Sequence, residues 1–255
     1  MKKKLSKKFK NLFNKALTFT KKYWFLLIIA VIALIVIKIS IHNYLYKPYA
    51  VDKDFSKVDL GASTKLMIVA HPDDEILWGG AHLIEDNYLV VCITCGPVKE
   101  RVNEFIKVMG ETNDKYIMLG YPDKTNGERD TWDDHRENIA NDIKEILNLR
   151  DWETIVTHNP DGEYGHQHHI MTNRIVTSVV EEKDKLYYFG RYHSKIKIPE
   201  YYSEMMPIND IYYKEKQRII GLYKSQYFIQ TMFDHMFYYE DFVAYDDWGV
   251  IDEEL

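Results

Sequence analysis

Two dense clusters of ligand-type side chains stand out in this 255-residue sequence. The first is His71-Pro72-Asp73-Asp74-Glu75, an imidazole and three carboxylates in a turn stiffened by proline. Imidazole and carboxylate are both zinc ligands, and a catalytic zinc takes three protein ligands and leaves one position open. Taken alone, the cluster also fits an acidic helix N-terminus, which capping and the helix dipole favour. The second cluster is His166-Gln167-His168-His169. At ~100° per helical residue, His166 and His169 fall ~60° apart, whereas His168 points well away from His166. The i, i+3 pair is therefore expected to share a site, one imidazole on metal and the other on substrate. A solvated, histidine-rich helix start is the alternative, and the first cluster argues against it.

The surrounding elements bring both clusters to one edge of a sheet. Lys65 to Ala70 is a continuous apolar run of the kind buried on both faces, and His71 follows it directly. Further strands are expected at 88–94 (ended by Gly96-Pro97), 116–119 (stopped by Gly120), 154–157 and 186–189, with a terminal strand near 242–244. Helices are expected from Gly79-Gly80 toward Asp86, and at 101–113, 132–149, 166–182 and 210–226. In the second of these, Val102, Phe105, Ile106 and Met109 form one apolar face. Segments 123–130 and 159–165 read as loops. Strands alternating with helices imply an α/β domain whose mostly parallel sheet is covered on both sides. Ligands of such sheets bind beyond the carboxyl ends of the strands, where both clusters lie.

Together these residues resemble the PIG-L (LmbE-like) zinc de-N-acetylases. The resemblance runs from Lys65 to Phe189. It rests on His71-Pro72-Asp73-Asp74-Glu75, Gly79-Gly80, the turn from Thr94 to Gly96, Arg101 with Glu104, and Tyr164-Gly165-His166-Gln167-His168-His169, with Lys224-Ser225-Gln226 as a weaker match. It implies a Rossmann-like three-layer sandwich that removes the N-acetyl group from a GlcNAc-type amino sugar, lipid-linked or on a surface glycan, with one zinc per chain. It implies His71, Asp74 and His169 as zinc ligands and Asp73 as the general base. His166 would stabilise the oxyanion or protonate the leaving amine, and Arg101 would hold substrate. The chemistry is consistent: Asp73 can accept a proton from a metal-activated water, and zinc with a protonated His166 can hold the oxyanion. Tyr164 is a candidate hydrogen-bond donor to substrate, with a packed loop aromatic as the alternative. One departure is His168, where many members carry Asp. An imidazole there would not raise the pKa of His166 as a carboxylate would, and it would compete as a ligand. An ordinary surface ion pair is the alternative for Arg101 and Glu104. Cys92 and Cys95, ~10 Å apart in an extended strand, are expected to be core thiols rather than a disulfide. Gly79-Gly80 lacks G-x-G-x-x-G spacing, so no dinucleotide cofactor is expected.

Charge divides the chain. The first fifty residues hold eleven of the 33 basic residues and no acid, which leaves 22 basic and all 39 acidic residues beyond them, a net of −17. A body that acidic repels a phosphate backbone, so nucleic acid is not an expected partner. Trp24 to Ile37 is unbroken apolar sequence, and with Lys38 snorkelling it extends to Ile41, 18 residues in all. At ~1.5 Å each they nearly cross a hydrocarbon core of ~30 Å. Tyr23, Trp24, Tyr44 and Tyr46 bracket the run as interfacial aromatics do. A cleaved signal peptide is the rival, and Ile39-Ser40-Ile41-His42-Asn43 is a poor cleavage context. The expected organisation is a basic tail at 1–22, a single transmembrane helix at 23–45, a linker at 46–63 and the deacetylase domain at 64–255. Nine upstream lysines keep the N-terminus cytoplasmic, which puts the domain on the outer face. No feature sets an oligomeric state. Two competing readings are a membrane-tethered glycan-binding or scaffold protein without turnover, and a metal phosphoesterase, which would need two metals and more carboxylates.

Overall fold

The computed structural model describes residues 10, 14, 22–26, 28–41, 53–94 and 99–249. Most of the lysine-rich tip, Tyr44, Tyr46, the first part of the linker, Cys95 and Gly96-Pro97 lie outside the described residues. The chain divides into two units, Met1–Tyr46 and Lys47–Leu255. The first contains a helix over Lys22–Ile41, 20 residues long, whose length and composition suit a membrane span or a signal sequence. Its apolar side chains, Trp24, Leu34 and Ile35 among them, are exposed.

The second unit is an α/β domain. In chain order its strands are β1 (Lys65–Val69), β2 (Tyr88–Thr94), β3 (Lys115–Tyr121), the short β4 (Lys124–Thr125) and β5 (Glu128–Arg129), β6 (Thr154–Thr157), β7 (Leu186–Phe189) and β8 (Phe242–Ala244). Its main helices are α1 (Asp74–Glu85), α2 (Lys99–Thr112), α3 (Arg136–Leu147), α4 (Gln167–Val179), α5 (Asp210–Ile220) and α6 (Tyr227–Phe233). Six strands form one sheet in the order β3-β2-β1-β6-β7-β8, parallel except for β8. Alternate residues point to opposite faces. Met67, Val69, Val90 and Cys92 therefore pack with Leu77, Phe105 and Ile219 of α1, α2 and α5. Leu66, Ile68, Leu89 and Val91 pack on the other face with Ile139, Ile143, Ile175 and Val176 of α3 and α4. Three layers result, as expected for strands that are apolar on both faces.

Several boundaries differ from the sequence reading. The helix expected to open at Gly79-Gly80 begins at Asp74, one residue after the chain turns at Asp73, whose φ is 115°. The two glycines instead lie inside α1 and permit close packing. A Cβ on Gly79 would stand 2.5 Å from Met67 Cε, and one on Gly80 would stand 3.0 Å from Lys216 Cγ. The helix expected from Trp132 starts at Arg136, because Trp132 has φ 55° and its indole donates to Pro122 O at 2.8 Å. The segment 123–130 is not a plain loop. It contains the β4–β5 hairpin, turned at Asn126-Gly127 with φ of 56° and 88°, the signature of a type I′ turn. The last long helix stops at Ile220, before Gly221, and a 3-10 turn covers Lys224–Gln226.

From β1 the chain builds outward through β2 and β3, and from β6 through β7 in the opposite direction. The carboxyl ends of β1 and β6 thus flank the topological switch point, where a crevice opens in such sheets. His71–Asp74 follows β1, and His158–His169 follows β6.

Candidate active site

Pairing of Lys65 with Thr154 through Ile68 with Thr157 sets the two loops side by side. Asp74, in the first turn of α1, reaches toward both. Its Oδ2 lies 3.2 Å from His71 Nδ1 and accepts from His71 N at 2.8 Å, while its Oδ1 lies 3.2 Å from His169 Nε2. His166 joins the group, its ring centroid 4.7 Å from that of His71 and 4.3 Å from that of His169. Among the described residues, three sets of potential ligand atoms converge within 4.8 Å: His71, His166 and His169; His71, Asp123 and His168; and Asp74, His158 and His169. The expected set of His71, Asp74 and His169 is divided between the first and third of these.

The hydrogen-bond network assigns the tautomers. Glu163 is ionised, because His158 and His169 overcome the effect of burial and hold it at about 2. Its Oε2 therefore accepts Nδ1–H from His169 at 2.5 Å, which leaves His169 Nε2 facing Asp74. That Nε2 is buried without a hydrogen-bond partner. His168 Nε2 donates to Asp130 O at 2.7 Å, so its Nδ1 accepts from His71 Nε2 at 3.0 Å. The His71 Nδ1 lone pair then also faces Asp74. His71 Nδ1, His169 Nε2 and the Asp74 carboxylate thus face one another. The two 3.2 Å separations run to different oxygens of Asp74. Two imidazoles and a carboxylate are donors of the kind that zinc takes, and in that chemistry the residues present fit the metal. Burial would push His169 down, but Asp74 and Glu163 raise it to about 10, so its Nε2 carries a proton toward Asp74 that a bound cation would displace. His158 is committed elsewhere: its Nδ1 donates to Glu163 at 2.9 Å and its Nε2 accepts from Ala70 N at 3.0 Å.

Asp73 sits beside this cluster at the N-cap of α1 and is buried. Burial raises it to about 7, against the pull of the Arg101 guanidinium. Arg101 Nη2 donates to Pro72 O at 2.7 Å and lies 3.5 Å from Asp73 Oδ2, and Nη1 lies 3.9 Å from Asp123 Oδ2. Arg101 is thus a clamp on the His71–Asp74 loop. It does not form the surface ion pair with Glu104 weighed above, because Glu104 accepts from Ser225 N at 2.9 Å and Ser225 Oγ at 2.5 Å. Glu75, the last acid of the first cluster, braces the loop from behind by accepting from Asp73 N at 3.0 Å and Tyr223 OH at 2.6 Å.

His166 is the N-cap of α4, with ψ 122°, and not its first helical residue. The helical-wheel argument for His166 and His168 therefore does not apply. His168 turns into the site against His71 and stacks on Trp132 with centroids 4.2 Å apart. His166 Nδ1 accepts from His168 N at 3.2 Å and faces Arg129 Nη1 at 3.1 Å. Burial, then His169 and His71, depress its pKa. The imidazole is neutral with its proton on Nε2. Tyr164 is half-exposed at the mouth, its ring 5.7 Å from His166 and 4.7 Å from Phe233.

The sequence reading missed His158, Glu163, Asp123 and Arg129. His158 follows β6 directly, much as His71 follows β1, and that parallel was a usable signal. Arg129 arrives on the β4–β5 hairpin, which Asn126-Gly127 announces. No local pattern marks Asp123 or Glu163.

Residues 66–180 match the model of the PIG-L family, described as GlcNAc-PI de-N-acetylase. An uncharacterized protein of Acanthamoeba polyphaga mimivirus is 29% identical over 177 residues, covering 63% of this chain and 75% of that one. A conserved protein of Thermus thermophilus superposes with a TM-score of 0.54 at 14% identity, over 76% of this chain and 99% of that chain. The pseudoaglycone deacetylase Dbv21 gives 0.51 at 16% identity, over 67% and 85%. A deacetylase of teicoplanin biosynthesis gives 0.51 at 18% identity, over 68% and 90%. At these identities the structural matches speak for the fold. The segment 66–180 is thus similar to the PIG-L family over 115 of the chain's 255 residues.

Proposed function

We propose that this protein is a zinc-dependent hydrolase that removes the N-acetyl group from an N-acetylated amino sugar. The observation that supports this most directly is the approach of His71 Nδ1 and His169 Nε2 to the two oxygens of the Asp74 carboxylate, 3.2 Å each. His71, Asp74 and His169 would hold one zinc, which when bound supplies Lewis acidity at the acetyl carbonyl and acidifies water. Asp73 takes a proton from the attacking water as its oxygen bonds to the carbonyl carbon. Arg101 keeps that carboxylate in place through Pro72 O and Asp73 Oδ2. His166 offers Nε2–H as a hydrogen bond to the oxygen that gains charge, and Asp73 passes the proton it took from water to the nitrogen, which leaves as the amine when the C–N bond breaks. Tyr164, exposed beside His166, would donate a hydrogen bond to substrate. Acetate and the free amino sugar are the products.

The deciding experiment presents the full chain in detergent with a panel of N-acetylated glycolipids and glycans and scores acetate release. Asp73→Asn preserves size but not basicity, so zinc should stay bound while turnover falls roughly 10²–10⁴-fold. Near-normal turnover in Asp73→Asn would overturn the assignment of the base. Metal content tests the phosphoesterase reading: one zinc per chain supports the amidase, and two metals would not. A protein that binds zinc but releases acetate from no member of the panel would favour the tethered glycan-binding reading.

A further inference from the structure

Glu163 takes no part in the steps above, yet it is the most heavily engaged carboxylate behind the histidines. Its side chain is fully buried. Oε2 accepts from both His158 Nδ1 and His169 Nδ1, and Oε1 accepts from Asn159 N at 3.0 Å. Its backbone has φ 55° and ψ −81°, near the strained γ-turn conformation that a side chain disfavours and glycine tolerates. Asn159 Oδ1 holds that conformation by accepting from Glu163 N at 3.0 Å. Gly162 before it and Gly165 after it also have positive φ. In a turn built for glycine, a glutamate is explained by what its carboxylate does.

We propose that Glu163 is the positioning residue of the metal site. By accepting Nδ1–H from His169, it fixes Nε2 as the nitrogen that faces Asp74 and gives up its proton when a metal binds. Through His158, whose Nε2 accepts from Ala70 N, it also ties His169 to the end of β1. The ligand from the β6 side and the ligands from the β1 side are thereby held in register before any metal arrives. A carboxylate on the outer nitrogen also makes the imidazole a stronger donor, and loss of such partners lowers metal affinity by roughly 10–100-fold. This inference rests on the reading of His71, Asp74 and His169 as ligands.

The test strips the full chain in detergent with a chelator and titrates zinc back against a competing indicator. Wild type should bind one zinc. Glu163→Gln and Glu163→Gly should each bind it roughly 10–100-fold more weakly. Glu163→Gly relieves the backbone but leaves His158 Nδ1, His169 Nδ1 and Asn159 N without their acceptor, so the positioning role is read from the rise in thermal midpoint on adding zinc, which should be smaller than that of wild type in both variants. In ¹H–¹⁵N spectra of the zinc-loaded chain, a protected Nδ1–H from His169 should be present in wild type and absent in Glu163→Gly. Wild-type zinc affinity in both folded variants would overturn the proposal. So would a Glu163→Gly chain that fails to fold, because it would assign Glu163 to the fold. Failure of wild type to bind zinc would instead remove the ligand reading on which the proposal stands.

Discussion

Asp73 and Asp74 are neighbours in sequence and opposites electrostatically. Both are buried, but His169 and His158 overcome the desolvation of Asp74 and hold it well below the usual carboxylate range. Burial carries Asp73 up to about 7, with Arg101 at 3.5 Å pulling it down and Asp74 and Asp123 pushing it up. The difference arises from the turn at Asp73, which sends consecutive side chains to different neighbours. Density made the two clusters legible in the sequence. Their partners were not legible, because His158, Glu163 and Asp123 acquire meaning only when β6 lies beside β1 and the segment after β3 folds over His71. His168 gives a sharp contrast with His169. Its Nε2 is occupied by Asp130 O and its Nδ1 by His71, so it braces the site. His169→Ala should leave well under one zinc per chain, whereas His168→Ala should retain zinc with weakened affinity. Metal analysis after gel filtration checks this, and the reverse order would move the ligand assignment to His168.

At the scale of elements, alternation of apolar strands with amphipathic helices was readable because burial on both faces leaves a continuous signal in β1, β2 and β6. Helix starts were less readable, because Asp73 and Trp132 take positive φ for tertiary reasons. The packing of α5 on α1 was hidden for the same kind of reason. It depends on Gly80 admitting Lys216, whose ammonium meets Glu240 at 2.7 Å with both side chains fully buried. Lys216→Met should leave that carboxylate without its cation and lower stability by about 3–5 kcal/mol. Chemical denaturation of the detergent-solubilised chain measures it. Asp114, where α2 leads into β3, gives a pH test. Its Oδ1 accepts from Tyr88 N at 2.8 Å, and burial raises its pKa from 3.8 to about 7. A raised folded-state pKa means that the stability contribution is complete below 3.8 and is lost as pH climbs through about 7. Asp114→Asn keeps the acceptor and removes the titration. The variant should match wild type near pH 4 and exceed it in thermal midpoint at pH 8, and a constant offset across that range would contradict the argument.

For the whole molecule, the two units differ in charge as well as in shape of sequence. Eleven lysines and no acid precede residue 51, whereas the remainder carries a net of −17. The apolar helix over Lys22–Ile41 stands between the lysine-rich tip and the α/β domain. If it spans a bilayer, the positive-inside rule keeps the lysines in the cytoplasm and sends the domain outward. An outward domain would meet lipid-linked or surface amino sugars, the substrates that an acidic, tethered hydrolase can reach without binding nucleic acid. Two measurements on intact cells test this. Protease added outside should digest the chain beyond Tyr46, while the lysine-rich tip stays protected. Mass analysis of the membrane fraction should find residues 1–46 still attached to the domain, as an uncleaved anchor requires. Loss of those residues would identify a signal sequence, with a domain released from its tether. Digestion only after lysis would place the domain in the cytoplasm and limit its substrates to amino sugars on that side.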